Sequence, residues 1–495
     1  MRRNIKTILI INSYLLIVLG IVLFIPLLIS IYFNESKQIF NSFLIPAVIS
    51  LIVGALLSLV IFKKNKLNLS VSTSMIAVST AWICSSLIGA APLTMGLNIG
   101  FLDAFFESVS GFTTTGITII TGLNDIPKSI ILWRSLMQWL GGLGILTFFL
   151  LITFRSEGNY WQLFSAESHK ISLSRPVPNI FRTIKIFWGI YILFTLMEII
   201  ILLFFKMSFF DAVIHSFTTL STGGFSNYDN SIGFFADSGH PYYKQIEYTI
   251  IFFMALGGIN FLLHYRLLSG DIKEFIHNIE FKYFRRIILG FTSLIVLGKL
   301  LISSDTFSRL ETTIRTTLFQ VVSVMTTTGY LTENIDSAFF PAVAGILFLV
   351  LMLIGGCVGS TSGGIKVLRI VLLNKLFLRE TKKIYYPEHS VLPVTMETNI
   401  IKKDEIYRIS ALFFFWVLLI LIGAVITSLF SDLNTIQSLS GMFSAVGNVG
   451  PFFFSVDKMI SLSPVIKITY IIGMLAGRLE ILPLFILFSR KAWKA

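Results

Sequence analysis

Four short segments rich in Thr and Gly constrain this chain most, because each is predicted to lie between longer apolar segments. The first, residues 103–116, has an apolar, helix-permissive first half and a second half rich in hydroxyl residues and closed by glycine. It is too short to cross a bilayer, since a transmembrane helix needs about 20 apolar residues. Irregular backbone is tolerated at membrane depth only where it is buried in protein or lines a watery cavity. The segment therefore has the pattern of a re-entrant pore loop.

The other three segments align with the first without gaps. Asp211 precedes Gly224 by the same spacing as Asp103 precedes Gly116. A spanning helix is predicted before and after each segment, so the last eight helices form four helix–pore-loop–helix repeats around a common axis. The aligned segments are 106–116, 214–224, 319–329 and, most divergent, 440–450.

The composition indicates an all-α polytopic membrane protein. Of 495 residues, 55% are hydrophobic and only 13% are charged, unlike a soluble globular chain. The net charge of +13 does not require a nucleic-acid partner, because most Lys and Arg residues fall in alternate segments between helices, as the positive-inside rule predicts. That alternation places both termini in the cytoplasm and the Thr/Gly loops on the outer side. Ten spans are predicted, at 8–32, 42–62, 71–92, 130–154, 184–205, 246–264, 286–303, 338–377 (interrupted), 405–430 and 463–488.

The repeats predict the domain organisation. Two additional helices at the N-terminus stand outside the fourfold pattern, and the third repeat contains an intramembrane loop. The predicted units are 1–65 for the two additional helices, 66–155 for repeat one, 156–265 for repeat two, 266–385 for repeat three with the loop at 355–366, and 386–495 for repeat four.

Four such loops around one axis would place their Thr/Gly turns at one height. In potassium-type filters, rings of backbone carbonyls replace the water shell of the ion, and glycine supplies the backbone angles that turn successive carbonyls inward. Thr-Gly runs also occur in ordinary loops, but four such runs at equivalent positions favour the filter. The predicted potassium-binding residues are Thr114, Thr222, Thr327 and Asn448 in the first ring, Thr115, Gly223, Thr328 and Val449 in the second, and Gly116, Gly224, Gly329 and Gly450 in the third.

A glycine-rich loop at residues 355–366 interrupts the eighth predicted span. Five glycines and three hydroxyl residues in twelve positions disfavour a continuous helix. Small polar residues at membrane depth are expected to line a water-filled cavity. The loop is therefore predicted to gate the pore on its cytoplasmic side. The alternative is an ordinary helix end followed by a cytosolic loop. The predicted gate residues are Gly355, Gly356, Gly359, Ser360, Thr361, Ser362, Gly363, Gly364 and Lys366.

Charged residues within apolar segments are further candidates, because they usually face a bundle interior or a cavity. Arg478 is predicted to face the pore and shape its electrostatics, or else to pair with Glu480 or backbone carbonyls. Arg134 is expected to snorkel to the interface. No catalytic residue is predicted, since Ser360 and Ser362 lack the glycines of a nucleophile elbow. The chain is therefore interpreted as a non-enzyme.

Over nearly its whole length the chain resembles the Trk/Ktr/HKT superfamily of potassium transporters, specifically the TrkH/TrkG type. The resemblance rests on the motifs at residues 104–108, 113–116, 139–145, 221–226, 355–366, 448–451 and 475–480.

The resemblance implies potassium uptake across the bacterial cytoplasmic (inner) membrane by a homodimer, each protomer with its own pore. It implies a cytosolic TrkA-type ring of nucleotide-binding regulatory subunits as partner, with the nucleotide bound outside this chain. Consistently, no Walker A or Rossmann glycine pattern is present. It also implies that the glycine-rich loop gates the pore, that Arg478 projects into it, and that Gly116 favours potassium over sodium.

Two other transport mechanisms remain open. A symporter that couples potassium to protons or sodium would use the same pore, but should carry a buried acidic residue near the pathway. None is obvious near the predicted filter, which favours channel-like conduction. The potassium-binding subunit of an ATP-driven pump has a similar repeat but fits the glycine-rich loop less well.

Overall fold

Helices make up most of the computed structural model, which describes residues 2–62, 70–144, 147, 180–302, 309–387, 389–390, 392–396 and 399–494. Within these residues the strands are limited to β1 (Thr395–Met396) and β2 (Asn399–Ile400), an antiparallel pair. The predicted all-α fold class is confirmed. The boundaries predicted at 65/66 and 155/156, and the predicted end of the fourth span at 154, lie outside the described residues.

The helices are numbered here in chain order. The first half contains α1 (Arg2–Val22), α2 (Phe24–Tyr32), α3 (Lys37–Phe62), α4 (Val71–Leu97), α5 (Phe101–Phe112), α6 (Lys128–Gly142), α7 (Ile180–Phe204), α8 (Phe209–Leu220), α9 (Gly233–Asp237), α10 (Tyr243–Gly258) and α11 (Phe261–Leu268). The second half contains α12 (Ile272–His277), α13 (Ile279–Ile302), α14 (Leu310–Met325), α15 (Ala342–Leu353), α16 (Val367–Lys383), α17 (Lys403–Leu429), α18 (Thr435–Gly447), α19 (Val456–Ser461), α20 (Pro464–Arg478), α21 (Leu482–Ile486) and α22 (Arg490–Lys494).

Several of these helices are long and apolar enough to cross a bilayer, so the chain is a membrane protein. The described residues contain five such spans, or six if the bent pair α10 and α11 counts as one. Exposed apolar side chains on α17, such as Phe414 and Val425, suit contact with lipid. The predicted total of ten spans stays a prediction. The five spans are Asn4–Tyr32, Lys37–Leu59, Val71–Leu97, Arg182–Phe204 and Lys403–Leu429.

Two spans predicted as continuous, 246–264 and 463–488, are broken in the structure, and the helix of a third, 130–154, ends at Gly142. The segment predicted at 246–264 bends by 104° between α10 and α11. Asn260 starts α11 by accepting the Leu262 N–H at 2.9 Å, the usual role of Asn at a helix N-cap. The segment predicted at 463–488 breaks after Arg478, where Glu480 and Ile481 take positive φ. Hydropathy shows neither break, because apolar residues continue through both.

Four short helices, α5, α8, α14 and α18, carry the Thr/Gly segments at their C-terminal ends and are called the pore helices. Each packs against the helices that precede and follow it within its own predicted repeat. Each also packs against one helix of the preceding repeat, so that the contacts close into a ring. The contacts between repeats are α5 with α20, α8 with α6, α14 with α10, and α18 with α15.

Candidate ion pore

All four Thr/Gly segments leave their pore helix through the same backbone turn. The first-ring residues have positive φ angles although none is glycine, a conformation that costs about 1–3 kcal/mol for such residues. Strain of this kind at four equivalent positions indicates a functional constraint. The φ values are 54° at Thr114, 53° at Thr222, 57° at Thr327 and 53° at Asn448, and the third-ring values are 80° at Gly116, 79° at Gly224, 84° at Gly329 and 110° at Gly450.

The second-ring residues repeat one hydrogen bond. In each segment the backbone N–H of this residue donates to the carbonyl five residues earlier, at the end of the pore helix. This bond fixes the turn in the same orientation in all four segments. The bonds are Thr115 to Ser110, Gly223 to Thr218 and Thr328 to Ser323, each 2.9 Å, and Val449 to Ser444, 3.0 Å.

The third-ring glycines lie against the neighbouring segment. A Cβ atom on Gly116 would overlap the carbonyl oxygen of Gly223. The same overlap recurs between each glycine and the second-ring carbonyl of the next segment, and the last glycine meets the first segment. The further pairs are Gly224 with Thr328, Gly329 with Val449, and Gly450 with Thr115, the last at 3.0 Å. The four segments therefore form a closed ring in chain order.

The ring has the electrostatics of a cation site. Positive φ recurs at the first and third positions of every segment but not at the second, and rings of backbone carbonyls are what bind the cation in potassium-type filters. The pore helices end within two residues of the first-ring positions, so the negative ends of their dipoles lie beside the ring. Such an arrangement favours a cation over an anion.

Hydrogen bonds between side chains stabilise the ring. The Thr113 and Thr115 hydroxyls are 2.7 Å apart, and the equivalent Thr326 and Thr328 hydroxyls are 2.8 Å apart. The Asn448 amide donates to the Thr115 hydroxyl at 2.8 Å, which links the fourth segment to the first. All the second-ring residues are buried.

Gln138 on α6 holds the segment of repeat two, a role that the sequence analysis missed. Its amide donates to the Gly223 carbonyl at 2.6 Å, and its side-chain oxygen accepts the Phe225 N–H at 3.0 Å. A polar residue within an apolar helix was the available signal.

Cavities open at both ends of the ring. The cavity on the third-ring side has a volume of about 410 Å³ and is lined by all four third-ring glycines and by Asp229, Asp336 and Asp457. The cavity on the opposite side has a volume of about 100 Å³ and is lined by part of the glycine-rich loop and by Arg478. The ring therefore lies between an acidic vestibule and a smaller chamber.

The glycine-rich loop lies against the first ring. The Thr361 hydroxyl donates to the Leu220 carbonyl at 2.9 Å and lies 3.2 Å from the Thr222 hydroxyl. The Gly363 N–H donates to the Thr327 hydroxyl at 2.7 Å. Two of the four first-ring side chains thus contact the loop directly, and the loop covers that end of the ring.

Backbone contacts fix the loop between α15 and α16. The Gly355 N–H donates to the Ile365 carbonyl at 2.9 Å, and the Ile365 N–H donates to the Leu353 carbonyl at 3.0 Å. Gly355 and Gly364 approach so closely that a Cβ on either would overlap the other strand of the loop. The buried Lys366 ammonium closes the loop through the carbonyls of Ser362 and Gly363.

Neighbouring helices anchor the other side of the loop. The Cys357 N–H donates to the Gly258 carbonyl at 2.8 Å, and a Cβ on Gly356 would lie 2.7 Å from the same oxygen. The Gly359 carbonyl accepts the Phe261 N–H at 3.1 Å. Ser360 is half-buried and donates to the Cys357 carbonyl at 2.6 Å.

Glu280, at the start of α13, is an anchor that the sequence analysis missed. Its buried carboxylate accepts the Val358 N–H at 2.6 Å. This contact ties the loop to a helix whose start lies among basic residues. Nothing in the local sequence pattern connects the two positions.

Arg478 ends α20 beside the first ring. Its guanidinium donates to the Thr114 hydroxyl at 3.1 Å, to the Thr361 carbonyl at 2.7 Å and to the carbonyls of Gly141 and Gly142 at 2.5 and 2.7 Å. Arg478 therefore bridges the ring and the glycine-rich loop. Glu480 forms a salt bridge with Arg369 on α16, 2.5 Å long.

Arg134 is buried, and the expectation that it snorkels to the interface is wrong. Its guanidinium forms a 2.8 Å salt bridge with Glu107 on the first pore helix and lies over the Phe225 ring, 4.2 Å from the centroid. The carboxylate and the aromatic face supply the environment that the interface would otherwise provide. On the third pore helix, Arg315 forms a similar buried salt bridge with Glu247 of α10.

The expectation that no buried acidic residue lies near the ring is also wrong. Glu107 belongs to the first pore helix and is fully buried. Glu198, within the membrane-spanning part of α7, is fully buried beside Thr219 of the second pore helix. The sequence did show Glu198 as a lone charge in an apolar run, which is a standard indication of a functional site.

A comparison with known protein families identifies the family of this chain. Residues 35–494 match the family described as "TrkH: Cation transport protein". The chain belongs to the TrkH family. The resemblance inferred from its motifs is therefore confirmed.

Relatives within the TrkH family align along most of this chain. The Trk system potassium uptake protein TrkH of Escherichia coli K12 is 34% identical over 437 residues, which cover 87% of this chain and 88% of the relative. An uncharacterized cation transporter of Methanocaldococcus jannaschii is 33% identical over 100% of this chain and 97% of its own. The crystal structure of the potassium transporter TrkH from Vibrio parahaemolyticus superposes with a TM-score of 0.85 at 28% identity, covering 99% of both chains.

Proposed function

We propose that this protein takes up potassium ions through the ring formed by its four Thr/Gly segments. The observation that carries the proposal is the closed ring, in which four equivalent residues share one left-handed turn and each third-ring glycine meets the next segment. Rings of carbonyls replace the hydration shell of an ion in known potassium filters. The relatives from Escherichia coli and Vibrio parahaemolyticus are named for potassium transport.

The glycine-rich loop is proposed as the gate. Its contacts with Thr222 and Thr327 support a closed conformation that blocks the exit from the ring. Arg478 is proposed to stabilise this conformation, since it donates to both Thr114 and the Thr361 carbonyl. Its positive charge also opposes a cation at the first ring.

The assembly and location are proposed from the family. The relative in Escherichia coli is named as part of a Trk system, which supports a regulatory partner; we propose a cytosolic TrkA-type ring that binds the nucleotide, and a homodimer of this chain. The basic segments between helices support cytoplasmic termini in a bacterial inner membrane. The two N-terminal helices and four repeats, with boundaries as in the sequence analysis, are the proposed domain organisation.

Rubidium uptake tests the function directly. A bacterium that lacks its own potassium transporters should take up rubidium when it expresses this chain, and more so with the regulatory partner present. No uptake with either combination, despite protein in the membrane, would refute the proposal.

Ion-coupled uptake is the second candidate, and the buried Glu198 favours it. Reversal potentials in liposomes separate the two mechanisms. A reversal potential set by potassium alone supports channel-like conduction, whereas one that shifts with a proton or sodium gradient supports coupling.

A further inference from the structure

Tyr330 follows the third-ring glycine of the third Thr/Gly segment and contacts the pore helix of repeat two. Its side chain is fully buried. The hydroxyl group donates to the His215 carbonyl at 3.2 Å and is also hydrogen-bonded to the Thr218 hydroxyl. Both partners belong to α8. Tyr330 therefore joins the end of one segment to the pore helix of the neighbouring repeat.

The residues that bind Tyr330 also hold the turns of the second ring. The Thr218 carbonyl accepts the Gly223 N–H at 2.9 Å. At the other end, the Tyr330 carbonyl accepts the Ser323 hydroxyl at 2.7 Å, and the Ser323 carbonyl accepts the Thr328 N–H at 2.9 Å. A short chain of hydrogen bonds thus connects the second-ring residue of the second segment with that of the third.

These two segments are neighbours in the ring. A Cβ atom on Gly224 would overlap the Thr328 carbonyl oxygen, so a displacement of either segment changes the distance between their carbonyls. The hydroxyl is particular to the third segment, because the residues that follow the other third-ring glycines are Ile117, Phe225 and Pro451. Phe225 packs in the equivalent place, since a Cβ on Gly111 of the first pore helix would lie 3.5 Å from its ring.

We propose that Tyr330 is a positioning residue that contributes to the selectivity of the ring for potassium over sodium, an inference that rests on the proposed function. Sodium is the smaller ion, so ring oxygens must approach it more closely to replace its water shell. The hydrogen bonds of Tyr330 oppose such a movement of the third segment, because the segment would have to separate from α8. Coordination of sodium therefore costs more than coordination of potassium.

The expected size of the effect is that of one neutral hydrogen bond. Such a bond changes an equilibrium constant by a factor of about five. Loss of the Tyr330 hydroxyl should therefore lower the potassium-to-sodium permeability ratio about fivefold. The carbonyls themselves remain in the ring, so potassium conduction should continue.

Reversal potentials of the full chain in liposomes, with potassium on one side and sodium on the other, measure this ratio. Tyr330→Phe and Thr218→Val each remove one partner of the same hydrogen bond, and each should lower the ratio about fivefold. The double variant should lower it no further than the more severe single variant, because contacting partners of one interaction are not additive.

Tyr228→Phe is the matched control. The Tyr228 hydroxyl donates to the Asp211 carboxylate at 3.0 Å, at the opposite end of the same pore helix. This variant loses a tyrosine hydrogen bond to α8 without touching the residues that hold the second ring. It should lower the melting temperature about as much as Tyr330→Phe does, but keep the wild-type permeability ratio.

The outcomes distinguish this inference from the proposed function. A fall in the ratio in Tyr330→Phe and Thr218→Val, with no fall in Tyr228→Phe, supports the positioning role. An unchanged ratio in folded Tyr330→Phe, an equal fall in Tyr228→Phe, or multiplied effects in the double variant would overturn it while the potassium transport of the wild type still stands. If Tyr330→Phe does not fold, the ratio in Thr218→Val decides. A wild type that conducts no potassium would refute the proposed function, and this inference with it.

Discussion

Gly116→Ser is the substitution that most directly tests the ring. Gly116 has φ of 80°, and a Cβ on it would overlap the Gly223 carbonyl of the next segment. The serine side chain can be accommodated only if that carbonyl moves. Gly122 provides a matched control, because it has a similar φ of 70° but nothing within 4 Å of a built Cβ.

The two substitutions share one energetic term and differ in another. Both place a non-glycine residue at positive φ, which costs about 1–2 kcal/mol. Gly116→Ser also displaces one carbonyl of the second ring. If that oxygen binds the ion, its loss resembles the loss of a hydrogen bond to a charged group, about 1.5–3 kcal/mol. This energy corresponds to a decrease of roughly 10- to 150-fold in potassium binding relative to sodium.

Bi-ionic reversal potentials of reconstituted protein measure the potassium-to-sodium permeability ratio. Gly116→Ser is expected to lower the ratio by at least an order of magnitude, whereas Gly122→Ser keeps it. Thermal melting in detergent should show that Gly116→Ser and Gly122→Ser lose a similar amount of stability, because both variants carry the same backbone strain. An unchanged ratio in folded Gly116→Ser protein, or an equal fall in both variants, would refute the assignment of the ring.

Further predictions concern the gate and the buried charges. Thr361→Val removes hydroxyl hydrogen bonds of about 1 kcal/mol each and should raise partner-independent rubidium uptake several-fold, whereas unchanged uptake counts against the gate. Glu280→Ala removes the acceptor of the Val358 N–H and should raise basal uptake more than Glu280→Gln. Equal uptake in the two variants would show that Glu280 does not anchor the loop. Arg478→Gln should also raise basal uptake, and reduced uptake would contradict the blocking role. Arg134→Ala leaves Glu107 buried without its salt-bridge partner and should destabilise the protein by about 3–5 kcal/mol. The melting temperature should fall, and a second substitution, Glu107→Gln, should partly restore it. An unchanged melting temperature in Arg134→Ala would disprove this cost.

The shared turn of the four Thr/Gly segments follows from signals that are local in the sequence. Thr and Gly at fixed spacing after a short apolar run define the register, and the alignment of Asn448 with Thr114 coincides with the shared positive φ. The interruption between Leu353 and Val367 was also visible, because glycine is a poor helix former.

Contacts between distant residues could not be predicted in the same way. Gln138 and Gly223 are 85 positions apart, and Glu280 and Val358 are 78 apart. No periodicity within one segment records such pairs. Arg134 was misinterpreted for this reason, since an arginine near a helix end snorkels unless a buried carboxylate from another segment meets it.

The contacts of the glycine-rich loop make the proposed gate and the proposed filter energetically dependent on each other. Opening must break the bond from Gly363 to the Thr327 hydroxyl and separate Thr361 from Thr222. Two or three bonds of about 1 kcal/mol each favour the closed loop by roughly 30- to 150-fold. An ion at the first ring competes for the same hydroxyl oxygens, so its binding must weaken the closed state. A regulatory partner therefore needs to supply only the remaining difference, and opening should become easier as the ring fills.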